Sequence, residues 1–212
     1  MRTYFKEIFR NGILLSVFWV CIKVVTAQER LPAPDALGEA TFAAGCFWCV
    51  EADFDKLDGV IETISGYTGG HTLDPTYESV GSQKTGHVEA VRIHFNPKQV
   101  TYQKLLDHYW HNVDFLDGEG QFCDRGSSYR PVIFTHSAEQ EKVARNSKKK
   151  LEESGKLKTK NFVTIEPAGP FTPAEQYHQD YYKKNPIRYH YYRLRCGRDS
   201  RLQHLRKLIG SE

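Results

Sequence analysis

Between residues 88 and 95, Val91, Ile93 and Phe95 alternate with Arg92 and His94, and this period of two predicts a strand. Glu89 falls on the same face as the three apolar residues. An acid in line with core positions is the first break in the pattern. Shorter apolar runs predict further strands over residues 41–44, 60–65, 130–135 and 162–166. Helical spacing appears elsewhere. Phe47, Val50, Phe54 and Leu57 follow a start at Cys46 and end at Asp58-Gly59. Tyr102, Leu105, Leu106, Tyr109, Trp110 and Val113 form a stripe behind the cap Thr101. Ser137 with Gln140 reads as a capping box for a charged helix to about residue 154. Thr172-Pro173-Ala174-Glu175 reads as another helix start, with proline at the first helical position. Leu202, Leu205, Leu208 and Ile209 stripe a C-terminal helix.

Two loops separate these elements. One is glycine-rich, from Gly66-Tyr67-Thr68-Gly69-Gly70 to about Gly86, and the other spans residues 117–128. Strands and helices do not alternate strictly, and no repeat or second boundary interrupts them. The expected fold is a single α+β domain, a two-layer sandwich around a mixed or mainly antiparallel sheet with a ferredoxin-like core.

The first 27 residues follow other rules. Arg2, Lys6 and Arg10 precede an uncharged apolar run over residues 12–22, and Val25-Thr26-Ala27 offers a cleavage site. This is a signal-peptide pattern, or an uncleaved membrane anchor, although the clean run is short for a membrane span. A linker over residues 28–39 follows, then the catalytic domain over 40–212. The expected location is exported, periplasmic or extracellular, with membrane attachment only if the leader stays on. The leader holds four basic residues and one acid. Removing them from the chain's 29 basic and 26 acidic residues leaves 25 of each. A neutral mature chain gives no case for nucleic-acid binding. The full chain's 40 % apolar content suffices for a core without disulfide staples.

Outside the leader, which carries Cys21, the cysteines are Cys46, Cys49, Cys123 and Cys196. Cys46 and Cys49 sit in Ala44-Gly45-Cys46-Phe47-Trp48-Cys49-Val50-Glu51. A zinc site needs a second close pair of ligands, and no second C-x-x-C follows. A C-x-x-C at a helix start also suits a redox dithiol. A third reading takes Cys46 alone as a nucleophile, turned onto a helix start by Gly45, where the dipole would favour its thiolate. A buried structural cysteine is the plain alternative.

Gly45-Cys46-Phe47-Trp48 with Glu51 resembles the signature of A-type peptide methionine sulfoxide reductases. The resemblance continues in register through Gly66-Tyr67-Thr68-Gly69-Gly70, Asp74-Pro75-Thr76-Tyr77 and Thr85-Gly86-His87-Val88-Glu89. It goes on through Asp124-Arg125-Gly126-Ser127-Ser128-Tyr129-Arg130, His178 and Lys184-Asn185-Pro186, and so covers about residues 40–190.

The resemblance implies reduction of the S epimer of methionine sulfoxide, free or in proteins, with no metal, flavin or other cofactor. It casts Cys46 as nucleophile and Glu89 as proton donor. Tyr77 and Tyr129 would bond the sulfoxide oxygen, Asp124 would help to organise it, and His178 would support the site. Phe47 and Trp48 would wall the substrate methyl group. An acid on an apolar strand face is also expected to keep its proton near neutral pH, independently of any family. Attack would leave Cys46 as a sulfenic acid, which a second thiol condenses to a disulfide for a thioredoxin-like reductant to reopen. Cys196 is the first choice of resolving thiol, in a tail over residues 186–212 that Gly197 should keep flexible, and Cys49 is the alternative. Cys123 is read as a bystander. The chain is expected to act as a monomer. The rival functions are a general thiol-disulfide oxidoreductase using Cys46 and Cys49, and a non-enzymatic exported module with structural disulfides.

Overall fold

The computed structural model describes residues 37–210. The leader at 1–27 and all but the end of the expected linker therefore lie outside the described residues. The linker's last two residues, Gly38 and Glu39, already belong to the first strand.

The first half of the chain runs β1 (Gly38–Ala43), α1 (Phe47–Phe54), β2 (Val60–Thr68), α2 (Tyr77–Gly81), β3 (Val88–Phe95) and α3 (Tyr102–Asn112). The second half runs β4 (Gly120–Gln121), β5 (Asp124–Arg125), β6 (Val132–Thr135), α4 (Ala138–Glu153), β7 (Thr164–Pro167) and β8 (Phe171–Pro173). It ends in α5 (Tyr181–Lys184), α6 (Pro186–Arg195) and α7 (Arg198–Ile209). Six strands form one sheet in the order β7-β6-β1-β3-β2-β8. Its centre, β6-β1-β3-β2, is antiparallel throughout, and with α1 and α3 as crossovers it is the ferredoxin-like arrangement. At one edge β7 pairs parallel to β6, which makes the sheet mixed.

The period-two pattern of β3 decides which face is which. Val91, Ile93 and Phe95 join Phe42, Phe54, Leu105, Leu106 and Tyr109 in the main core beneath α1 and α3. Val88 and Ala90 join Ala43, Val132 and Phe134 on the opposite face, closed by Ala168 and Phe171. Glu89 therefore points to the helix side, opposite Tyr67 of β2.

Several expectations are corrected. Gly66, Tyr67 and Thr68 are the end of β2 and not loop, because β8 pairs with them. Pro173 starts no helix; it closes the edge strand β8, where a missing N–H costs no ladder bond. Ser137 accepts from Gln140 N, but the Gln140 side chain reaches His136 N and Glu39 O, so the box is not reciprocal. The C-terminal segment is not a loose tail. It folds into α6 and α7 with a left-handed joint at Gly197 (φ 69°), and Arg198 of α7 is buried. Among the described residues no helix is long and apolar enough to cross a membrane.

Candidate active site

The end of β1 is fixed before the nucleophile appears. The Tyr109 hydroxyl donates to Ala43 O at 3.0 Å, and Arg198 donates to Ala44 O at 3.1 Å. Gly45 then takes φ 81°, and a Cβ there would stand 2.6 Å from Gln121 Cβ. Only glycine fits both demands. Cys46 follows as the N-cap of α1, with no side-chain cap bond of its own.

Around the Cys46 sulfur lies a cavity of about 50 Å³, lined by Cys46, Phe47, Trp48, Tyr77, Glu89, Asp124, Tyr129 and Tyr192. This is room for one small group. A groove of about 670 Å³ along β2 and the 173–183 segment is larger, but it is open, polar and holds no cysteine. The chemistry belongs to the small cavity.

Glu89 reaches it from β3. Burial pushes its carboxyl up to about 8, against the Phe47 N–H that donates to its Oε2 at 2.9 Å and a hydrogen bond to Tyr129. It therefore holds a proton near neutral pH, as its place on the strand predicts. Tyr77 comes from the first turn of α2, which Thr76 and Ser79 cap reciprocally. Its backbone N–H donates to Glu175 Oε1 at 2.9 Å. Burial pushes its hydroxyl up to about 12 and raises that of Tyr129, so both stay protonated donors. Tyr129 ends a 3₁₀ turn whose Ser127 and Ser128 bond the Gln83 side chain. Asp124 sits in β5 and accepts from Tyr192 OH at 2.5 Å. Burial raises its carboxyl as well.

The expected thiolate at Cys46 is not what the structure favours. Burial pushes the Cys46 thiol well up, with its hydrogen bond to Cys49 and the nearby carboxylates of Glu89 and Asp124 adding to the effect. The physical reason is local. The helix's first free amide, Phe47 N–H, serves Glu89 and leaves the sulfur without it. Cys49 moves the other way, lowered by the hydrogen bond from Cys46 and by Arg198 and Arg193.

His178, Cys49 and Cys196 do not line the cavity. His178 stands behind Trp48, whose Nε1–H donates to its Nδ1 at 3.0 Å, and its ring also packs on Phe47 and Tyr77. Burial lowers its pKa, so the neutral ring can accept that bond. Cys49 lies beneath Cys46, and both are free, buried thiols packed with Ala52 and Tyr189. Cys196 is bonded to Cys123, so Cys123 is no bystander. Cys123, Asp124 and Cys196 are also a cluster of metal-ligand donor types, but two of the three donors are the sulfurs of that disulfide.

Three contributors were not singled out from the sequence. Tyr192 lines the cavity, Tyr181 stacks on Trp48 at 3.7 Å between ring centroids, and Glu175 accepts from both Tyr67 OH and Tyr77 N. Tyr189, Tyr192 and Cys196 recur at helical spacing, and that inward stripe was the available signal.

Residues 38–208 match the family described as peptide methionine sulfoxide reductase. The chain belongs to that family. A Bacillus licheniformis relative, peptide methionine sulfoxide reductase MsrA, is 56 % identical over 164 residues, which is 77 % of this chain and 91 % of that one. Reduced Mxr1 of Saccharomyces cerevisiae superposes with a TM-score of 0.68 at 30 % identity, covering 76 % of this chain and 92 % of its own. Methionine sulfoxide reductase A of Corynebacterium diphtheriae gives 0.64 at 29 % identity, covering 72 % and 76 %. These likenesses place the chain among the A-type reductases, thiol-dependent oxidoreductases of the same α+β fold.

Proposed function

We propose that this reductase converts the S epimer of methionine sulfoxide, free or in proteins, to methionine by attack of Cys46. The convergence of one thiol, one protonated carboxyl and two tyrosine hydroxyls on a cavity for one small group carries the reading. Oxygen is a poor leaving group from sulfur, so attack needs a proton delivered to it. Glu89 gives its proton to the sulfoxide oxygen while Tyr77 and Tyr129 hydrogen-bond it. The Cys46 sulfur adds to the sulfoxide sulfur, the S–O bond breaks, and the oxygen ends on Cys46 as a sulfenic acid. The thiol proton replaces the one Glu89 gave, and methionine leaves with its methyl group against Phe47 and Trp48. Asp124, tied to Tyr192, holds the polar side of the cavity.

Cys49 is then the first resolving thiol. It already meets the Cys46 sulfur, whereas the Cys196 sulfur is engaged with Cys123. Its attack on the sulfenic sulfur forms the Cys46–Cys49 disulfide and releases water. A thioredoxin-like dithiol protein returns the enzyme to its reduced state. The signal-like leader supports an exported enzyme.

The test uses separated S and R epimers of a methionine sulfoxide peptide with the wild type and Cys46→Ser. Turnover of S alone, abolished by Cys46→Ser, is expected. Turnover of R in preference to S overturns the reading.

A further inference from the structure

Glu51 stands in the same block as Cys46, yet the chemistry gives it no step. It is buried on α1, one turn beyond Trp48. Its Oε1 accepts from Asp180 N at 3.1 Å, and its Oε2 has no hydrogen-bond partner among the described residues. Burial pushes the carboxyl up to about 7, against the Asp180 N–H, and the carboxylates of Asp55 and Asp180 add to the rise. Asp180 itself is held left-handed, at φ 54° and ψ 32°. A buried acid with an orphan oxygen and a left-handed aspartate both cost free energy, and such costs persist only where the surroundings impose them. Both fall on one contact, and that contact sits behind the wall of the cavity. His178, two residues before Asp180, accepts the Trp48 Nε1–H at 3.0 Å. Tyr181, one residue after it, stacks on the indole at 3.7 Å between centroids and 7° between planes. Gln179 is tied to β2, because its Nε2 donates to Ser65 O and its Oε1 accepts from Ser65 N, each at 2.9 Å. The Trp48 ring is therefore gripped by His178 and Tyr181. The backbone between them is pinned to β2 at one residue and to Glu51 at the next.

We infer that Glu51 is a positioning residue that determines which sulfoxides fit: it fixes the Asp180 amide, and through His178 and Tyr181 the tilt of Trp48 against the cavity. The inference rests on the proposed placing of the substrate methyl group against Phe47 and Trp48. The cavity of about 50 Å³ has room for one small group, and the indole bounds it on one side. One extra methylene is worth about 10–200-fold in discrimination when the wall does not yield. Helix α1 carries both this wall and, one turn on, the carboxyl that holds the wall's supports. Without the carboxyl, the 178–181 segment keeps its tie to β2 through Gln179 but loses its tie to α1. The indole then yields outward and admits a larger alkyl group.

The test compares the S epimers of methionine sulfoxide and of its S-ethyl analogue, ethionine sulfoxide, with a chemical dithiol as reductant. The wild type is expected to favour the methyl substrate in kcat/KM by about tenfold or more. Glu51→Leu removes the acceptor and keeps an apolar filling. It should raise KM for the methyl substrate by roughly fivefold with kcat within about threefold. It should also lower the methyl-to-ethyl ratio by at least about fivefold. Glu51→Gln keeps an acceptor for the Asp180 N–H and should restore the ratio. An unchanged ratio in a folded Glu51→Leu, with both substrates weakened alike, overturns the positioning role and leaves the proposed function standing. A wild type that accepts both alkyl groups equally does the same. The urea midpoint shows whether Glu51→Leu folds; if it does not, Glu51→Asp, one methylene too short to reach Asp180, is read in its place. A wild type inert toward the methyl S epimer removes the proposed function itself.

Discussion

The backbone N–H of Phe47 donates to Glu89 Oε2 at 2.9 Å, so the nucleophile's own helix holds the acid in place. Because burial still lifts that carboxyl to about 8, Glu89 carries its proton below this pH and loses it above. The first-turnover rate of the wild type is therefore expected to fall as pH rises through about 8. Glu89→Gln keeps a hydrogen-bond donor but no transferable proton. It should slow the first turnover by about 10²–10⁴-fold and erase that alkaline limb. Rapid-quench measurement of methionine release across pH checks both, and a variant that keeps the wild-type limb would remove Glu89 from the proton transfer.

Cys49→Ser tests which thiol resolves the sulfenic acid. With Cys49 gone, the first methionine still forms and Cys46 remains a sulfenic acid, open to trapping by dimedone. The wild type, treated alike, gives a Cys46–Cys49 disulfide and no adduct. A Cys46–Cys196 disulfide in the wild type would instead make Cys196 the direct resolver.

The strands and the acid were legible because they obey local rules. Glu89 on the face of Val91, Ile93 and Phe95 was readable from alternation alone, and α3 from its stripe and its cap Thr101. What failed depends on distant partners. Gly66 to Thr68 looks like a turn until β8, more than a hundred residues later, pairs with it. Thr172-Pro173 looks like a helix start until the same pairing makes it an edge strand. The thiolate expected at Cys46 failed because the amide it needed is taken by a residue from another strand. Cys123 reads as a bystander because nothing in its sequence neighbourhood reveals a sulfur 73 residues away.

His178 should act on binding more than on chemistry, since it touches Trp48 and not the reacting atoms. His178→Ala leaves the Trp48 Nε1–H without its acceptor and removes a ring packed on Phe47 and Tyr77. An unmade buried hydrogen bond costs about 1–3 kcal/mol, so KM should rise by roughly tenfold while kcat holds within about threefold. Steady-state assays with a chemical dithiol as reductant measure the split. A fall in kcat with KM unchanged would give His178 a part in the chemistry.

Arg198 connects the C-terminal helix to the turn that carries the nucleophile. It is 1 % exposed, and its guanidinium donates to Ala44 O at 3.1 Å and to Asn112 O at 2.7 Å. It also faces Asp53 at 3.4 Å and lies over the Phe122 ring. Arg198→Met keeps much of the volume but strips the donors from two buried carbonyls and leaves Asp53 with Arg193 as its remaining strong partner. Breaking one side of a buried charge network costs about 3–5 kcal/mol, so the urea midpoint should fall sharply. The loss reaches the site as well. Ala44 O is two residues before Cys46, and a loosened turn moves the sulfur against Glu89. First-turnover rate, measured in urea-free buffer where the variant is still folded, should therefore drop. Arg198→Lys restores the charge with one compact donor, enough for one carbonyl and not for both. It should recover part of the stability and less of the rate. A methionine variant with the wild-type midpoint and rate would show that the guanidinium holds neither the helix nor the turn.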